Sequence, residues 1–301
     1  MSTVGIVSPG AMGSAVGAAY LDAGHRALTV VEGRSARTRG LARHAGLEEA
    51  ASLDALVVQA GLVLSIVPPG EARTVALALA DAARRTGAAP LVADLNAVSP
   101  ATARELHALL ADAGLELVDG SISGGPPNAD YRTRVYLSGP RARELAAAAP
   151  PWLEPRVVGG EIGLASAVKM CTASVYKGFS ALLAHALVTA EASGVLPHVL
   201  DDLHDSFPRQ LDRAARLVGV SATKAERYVA EMEEIARTQA AAGLPAALFE
   251  GIAEAYARIA GTEAATLAPE DVGEPPLEDV LARLRAGRAG TPSGHDEEGI
   301  R

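Results

Sequence analysis

Gly160-Glu161-Ile162-Gly163-Leu164-Ala165-Ser166-Ala167-Val168-Lys169-Met170-Cys171-Thr172-Ala173-Ser174-Val175-Tyr176-Lys177 opens a stretch that stays apolar through Leu187 and meets no proline before Pro197. Rich in Ala and Leu, and far too long for a strand, it predicts one long, largely buried helix over 160–192. Upstream, apolar runs alternate with helical segments; downstream the pattern is helical only. The predicted class is therefore α/β: a Rossmann-like, doubly wound sheet over 1–158, joined by this long helix to an all-α domain over 159–286. A ligand cleft is expected beside the joining helix. Lys169 stands on it among Ala, Val, Met and Cys, where a lysine either snorkels outward or takes part in chemistry.

The totals exclude several function classes. With 301 residues the chain can bury two cores. A formal net charge of -9 argues against a nucleic-acid partner, which needs a concentrated positive surface, but leaves room for a small anionic substrate. The single cysteine, Cys171, rules out an internal disulfide and a cysteine metal cluster, and reads as a small residue of the helix core. No metal site is expected. The N-terminus enters a strand with no signal-like apolar segment, and no apolar run reaches the length of a membrane span, so a cytoplasmic protein without membrane contact is expected.

Val4-Gly5-Ile6-Val7 reads as a strand, and Ser8-Pro9-Gly10-Ala11-Met12-Gly13 as the turn into a helix. In such a turn the amides of Gly10, Ala11, Met12 and Gly13 can face a pyrophosphate, where the helix dipole favours negative charge. Two of the three usual glycines are present and Ser8 stands for the first. A second strand over 27–31 ends at Glu32-Gly33-Arg34-Ser35, about where an adenosine ribose is read. Glu32 would accept both hydroxyls of an NAD ribose; Arg34 and Ser35 would bind the 2′-phosphate of NADP, the reading favoured, with NAD possible. The buried run over 62–67 ends at Val67-Pro68, and the run over 91–94 ends at Leu95-Asn96, both on the edge where such sheets bind ligands. Asn96 is thus a candidate for the nicotinamide ribose or for the substrate, the alternative being a cap for the next helix. Ser123-Gly124-Gly125 offers backbone amides to a carboxylate or phosphate, or is a plain turn. After Pro197, helices are expected over 200–217, 223–242 and 248–261, with Glu231, Glu233 and Glu234 on a solvated face, and 287–301 lacks the apolar content to be ordered.

The order of these motifs resembles the β-hydroxyacid dehydrogenase superfamily over roughly residues 4–260. Its glycine turn stands here as Ser8 to Gly13, its substrate loop as Asp119-Gly120-Ser121-Ile122-Ser123-Gly124-Gly125, and its interdomain helix as Gly160-x-x-Gly163-x-Ala165-x-x-x-Lys169-x-x-Thr172-Ala173. The resemblance implies a nicotinamide-dependent oxidoreductase with Lys169 as general acid or base and a substrate held by Asn96, Ser123, Gly124, Gly125 and Thr172. It also implies a homodimer formed through the helical domain. The sequence departs from the family at Asn96, where two hydroxyls are usual, and at Ala173, where an asparagine is usual. It is similar in this to a divergent branch with a 6-phosphogluconate-dehydrogenase-like C-terminal domain. Tyr176 lies seven residues beyond Lys169, on the same helix face, and would restore the lost polar contact. The substrate is expected to be a small hydroxyacid or its carbonyl counterpart; an imine substrate, or a scaffold that binds nucleotide without turnover, are the alternatives.

Overall fold

The computed structural model describes residues 2–268 and 271–287; the expected disordered tail falls, beyond Gly287, outside the described residues. The chain divides into two compact units. The first runs to Thr172 and takes in Arg237–Leu244; the second holds Ala173–Ala236 and the chain from Pro245 onward.

The first unit is built on strands β1 (Thr3–Val7), β2 (Arg26–Thr29), β3 (Glu48–Glu49), β4 (Leu62–Ser65), β5 (Leu91–Asp94), β6 (Leu117–Ser123), β7 (Thr133–Ser138) and β8 (Leu153–Gly159). Their spatial order is β3-β2-β1-β4-β5-β6-β7-β8. Every neighbouring pair is parallel except β6 and β7. Helices α1 (Ala11–Asp22), α2 (Ala36–His44), α3 (Leu53–Gln59), α4 (Ala72–Thr86), α5 (Pro100–Ala111) and α6 (Ala142–Ala147) connect them. Leu56, Leu79 and Leu106 belong to one apolar core of the sheet, and Val16, Tyr20 and Leu145 to another. Covering both faces is what the unbroken apolar runs of β4 and β5 require. The sequence reading missed β8, whose Leu153-Glu154-Pro155-Arg156-Val157-Val158 is only partly buried and carries a proline, as an edge strand can.

The joining helix α7 (Leu164–Ala192) starts four residues later than the sequence suggests. Gly163 has a φ of +102°, and a Cβ there would lie 3.2 Å from the Pro100 carbonyl oxygen, so the chain turns at Gly163 and becomes helical only after it. The first turn is capped from elsewhere in the sheet. Asp119 Oδ2 accepts from the backbone N–H groups of Gly163 (2.8 Å), Ala165 (3.1 Å) and Ser166 (3.2 Å) and from Ser138 Oγ (2.7 Å). Its Oδ1 accepts from Ser166 Oγ at 2.6 Å. A buried carboxylate at a helix N-terminus satisfies orphan donors and favours the dipole at once.

The second unit continues α7 and adds α8 (Leu196–Ser206), α9 (Pro208–Leu211), α10 (Ala214–Ala222), α11 (Ala225–Ala241, whose last turn lies in the first unit), α12 (Ala247–Ala260) and α13 (Leu277–Arg285). The expected helix over 200–217 is three pieces, and Pro208, which cannot donate to the turn before it, makes the first of the two breaks. The solvated acidic face is also corrected: Glu231 and Glu234 are buried and only Glu233 is exposed. Glu231 pairs with Lys177 of α7 and, at 3.3 Å, with Arg227. Lys177 sits 4.2 Å from the centre of the Tyr228 ring, and the Tyr256 hydroxyl donates to the Lys177 carbonyl at 2.7 Å. A charge buried there is tolerable because it is paired. Cys171, read as core, is exposed instead. No helix among the described residues is long and apolar enough to cross a membrane, and they contain no cluster of metal-ligating side chains.

Asp119→Ala would take the acceptor from the Gly163 and Ser166 amides at the start of α7 and leave Ala165 N–H only Ser138 Oγ. Its expected cost is about 3 kcal/mol or more, read as a clear fall in the thermal unfolding midpoint, with Asp119→Asn intermediate.

Candidate active site

The turn after β1 keeps the backbone of a glycine turn although its first residue is serine. Ser8 holds a φ of +68°, the left-handed region that glycine enters without strain. A Cβ on Gly13 would stand 2.4 Å from the Ser8 carbonyl oxygen, so α1 can approach the strand this closely only with glycine there. Gly10 is the N-cap of α1, and the amides of Ala11, Met12 and Gly13 form its first turn, where no intrahelical acceptor exists. Ser14 Oγ donates to the Pro9 carbonyl at 2.7 Å and pins the turn. These are the features of an anion cradle, and they fit the pyrophosphate of a dinucleotide.

Beside the turn lies a cavity of about 140 Å³ lined by Ser8, Val30, Glu32, Arg34, Leu53 and Val75 among others. Its lining is mostly apolar, with Glu32 and Arg34 as its two charged residues. Glu32 and Arg34 thus share one cavity, with Gly33 at a φ of +70° between them. Ser35 is engaged locally: its Oγ accepts from Thr38 N at 3.2 Å and caps α2. Arg39 donates to the Arg34 carbonyl and so braces the residue from behind.

At the ends of β4 and β5 the structure gives Asn96 a different part from the one its position suggested. It is 2% exposed. Its Oδ1 accepts from Val67 N at 2.6 Å, and its Nδ2 donates to Ser65 Oγ at 3.0 Å and to Asp94 Oδ1 at 2.5 Å. The amide ties two strand ends together from within the protein and does not present itself to a ligand; nor does it cap α5, whose N-cap is Ser99. Val67 and Pro68 are held on this edge by that bond. Asp94 is 4% exposed, its Oδ2 has no hydrogen-bond partner among the described residues, and burial beside Asp119 pushes its carboxyl up to about 7.

On the far side of the sheet edge, β6 delivers Ser123-Gly124-Gly125, and Lys169 of α7 meets it. Lys169 Nζ donates to the Ile122 carbonyl at 2.7 Å, which sets the ammonium group against the residue that precedes Ser123. Gly124 has a φ of +134°, and a Cβ on it would come within 2.6 Å of the Tyr131 hydroxyl. The Gly125 carbonyl accepts from Thr133 Oγ1 at 2.6 Å. Thr172 lies one turn beyond Lys169, its hydroxyl donating back to the Val168 carbonyl at 2.9 Å or that of Lys169 at 3.2 Å. Tyr176 stands further along α7, in the second unit, and is 69% exposed. The first unit therefore brings Lys169, Thr172 and the Ser-Gly-Gly segment onto adjoining elements. Sequence reasoning overlooked Tyr131 and Asp119. The first is signalled only by the Asn128-Ala129-Asp130-Tyr131 turn, closed by Asp130 N on Asn128 Oδ1, and the second by an acid inside a buried strand.

The family model described as the NAD binding domain of 6-phosphogluconate dehydrogenase matches residues 3–163, and a domain of unknown function matches 190–259. A probable 3-hydroxyisobutyrate dehydrogenase of Mycobacterium tuberculosis is 30% identical over 210 residues, covering 67% of this chain and 69% of its own. A conserved hypothetical protein from Sinorhizobium meliloti superposes with a TM-score of 0.63 at 26% identity, over 94% of this chain and 97% of its own. The Mycobacterium tuberculosis 3-hydroxyisobutyrate dehydrogenase structure with L-serine shares the fold, with a TM-score of 0.64 at 22% identity over 95% and 100% of the two chains.

Proposed function

Because the chain belongs to the β-hydroxyacid dehydrogenase superfamily and carries its nicotinamide-dinucleotide domain, we propose that it is an oxidoreductase transferring a hydride between NADP and a small hydroxyacid or its carbonyl counterpart. The observation that carries this reading is the 2.7 Å bond from Lys169 Nζ to the carbonyl of Ile122, which holds the lysine against Ser123-Gly124-Gly125. When bound, the dinucleotide supplies the hydride acceptor or donor. Gly10, Ala11, Met12 and Gly13 take its pyrophosphate, Glu32, Arg34 and Ser35 surround its adenosine ribose, and Val67 and Pro68 border its nicotinamide end. Asn96 serves both cofactor and substrate indirectly, by fixing Val67. By sequence, the cofactor domain is assigned to residues 1–158 and the helical domain to 159–286, while the compact first unit extends on to Thr172 and takes in Arg237–Leu244.

Lys169 manages the proton. In oxidation the neutral amine would take the hydroxyl proton while the carbon that bears the hydroxyl gives up its hydride to the nicotinamide; in reduction the ammonium would return the proton to the developing alkoxide. Ser123 and the amides of Gly124 and Gly125 hold the acidic group of the substrate, and Thr172 keeps an acceptor beside the lysine. Tyr176 supplies the polar contact that Ala173 lacks. NADP is preferred to NAD because Arg34 reaches the adenosine cavity with its backbone braced by Arg39, whereas Glu32 is exposed and free to turn toward solvent.

The exposed apolar stripe of α7 supports a homodimer. Val175 (67% exposed) and Leu182 (61%) lie seven residues apart on one face, with Tyr176 beside the first. Leu182→Glu is expected to convert a dimer into a monomer in sedimentation; an unchanged mass places the interface elsewhere.

Binding of NADPH and NADH, followed by fluorescence, tests the cofactor. NADPH should bind at least tenfold tighter, and Arg34→Ala should erase that preference. Turnover across hydroxyacids, their carbonyl counterparts and imines then tests the chemistry. Lys169→Met should lower kcat by about 10²- to 10⁴-fold with dinucleotide affinity retained, while Tyr176→Phe should raise KM. Turnover that survives loss of the lysine would remove it from the mechanism.

A further inference from the structure

Two carboxylates stand side by side at the ligand edge of the sheet, and their surroundings are opposite. Asp94 and Asp119 are register partners on the parallel strands β5 and β6, and both are buried. Asp119 is richly partnered: three backbone N–H groups and two serine hydroxyls point their hydrogens at its two oxygens. Asp94 has one oxygen engaged by Asn96 and the other with no hydrogen-bond partner among the described residues. The groups facing Asp94 are Ser65 from β4, Asn96 at the end of β5, and Asp119 from β6, which supplies the neighbouring charge. Burial disfavours a second full charge there and the charge of Asp119 adds to that, while the hydrogen bonds of Ser65 and Asn96 favour the ionised form without outweighing them.

We propose that Asp94 is a positioning residue that works as a neutral acid: uncharged, it still accepts from Asn96 Nδ2 without setting a second charge beside Asp119, and so leaves Asn96, and through it the Val67 amide, in the arrangement that receives the dinucleotide. Deprotonation puts two like charges on adjacent strand ends at the edge where an anionic cofactor must dock. Strain of that kind is relieved by local opening, and the cofactor's own negative charge opposes the ionised form further. Dinucleotide affinity therefore falls as pH rises through about 7, the value to which burial and Asp119 push this carboxyl. The inference rests on the cofactor reading above for its binding consequence, and on the fold alone for the proton.

The sign for stability follows from linkage. The unfolded chain loses this proton near pH ~3.9, the native protein near 7. Between those values the native state binds more protons, so its stability declines with rising pH and levels off above the native value. Asp94→Asn keeps the size and the hydrogen-bonding capacity toward Asn96 but cannot ionise; Asp94→Ser is the second neutral variant should the first fail to fold.

The experiment has two arms on the full chain. Without ligand, thermal unfolding of wild type and Asp94→Asn is followed from pH 4 to 9. The variant should match or trail the wild type near pH 4, gain on it by several degrees up to about pH 7, and hold a constant lead above. With ligand, NADPH and NADH titrations run from pH 6 to 9, NADH serving because it lacks a 2′-phosphate with its own ionisation near pH ~6. Wild-type Kd should rise about five- to tenfold for both, and that of the variant less than twofold. A thermal difference independent of pH overturns the proposal whatever binds. A variant whose Kd follows pH as the wild type's does overturns the positioning role. If neither dinucleotide binds at any pH while the thermal arm behaves as expected, the neutral acid stands and the cofactor reading is what fails.

Discussion

The carboxylate of Asp119 is the constraint on which the site depends. It sits in β6, takes a hydrogen bond from Ser138 of β7, and receives the first-turn amides of α7. Ser121, two residues further along β6, donates to the Ala165 carbonyl at 2.9 Å, so the same strand grips the same helix turn twice. From that turn Lys169 is three residues on from Ser166, less than one helical repeat, and Ser123 is four residues on from Asp119, about 13 Å of extended chain. The lysine and the Ser-Gly-Gly segment therefore have their separation set by one buried anchor and two short rigid elements. The 2.7 Å bond from Lys169 to Ile122 is the consequence.

That anchor also shapes its neighbourhood. A carboxylate with five donors draws in the polar groups around it and leaves few for the acid on the next strand. Asp94 is left to Asn96 and Ser65, and the chain of bonds from Asp94 through Asn96 to Val67 runs across the ends of β5 and β4. One acid thus organises the helix that carries the lysine, and the other the strand ends that border the nicotinamide end of the proposed cofactor site. Their adjacency in the β5 and β6 ladder links the two halves of the first unit's ligand edge.

Much of this was legible in the sequence, for identifiable reasons. Alternating apolar runs and helical segments gave the doubly wound sheet, because a strand buried on both faces must be apolar along its length. The glycine turn was recognisable through Gly10, Met12 and Gly13 even with Ser8 in the first position, since the backbone conformation survives the change. Lys169 stood out by its apolar neighbours on a long helix, which left snorkelling open, and its part as acid or base was what the family resemblance implied. What escaped was tertiary. Asn96 looks like a ligand contact from its place at a strand end, and only the packed structure shows its amide turned inward onto Val67, Ser65 and Asp94. Glu231 looks solvated in a run of acids until α11 brings it to Lys177. Pattern reading assigns a charged residue to solvent by default, and a buried ion pair is the case in which that default fails.

Ser8 shows how the same physics sets a limit on drift at this site. A non-glycine residue at a φ of +68° carries a penalty of roughly 1 to 2 kcal/mol, so the turn must be held from outside if serine is to keep glycine's conformation. The holding groups are present: Gly10 N–H donates to the Ser8 carbonyl at 2.9 Å, and Ser14 Oγ closes onto Pro9. Gly13 then leaves no room for the chain to relax away, because the Ser8 carbonyl already lies where its Cβ would be. The strained residue tolerates replacement and the unstrained one does not, since Ser8 needs only a backbone conformation whereas Gly13 needs empty space. Ser8 is therefore the position of this turn at which a side chain can be carried beside the adenosine cavity without moving the amides of α1.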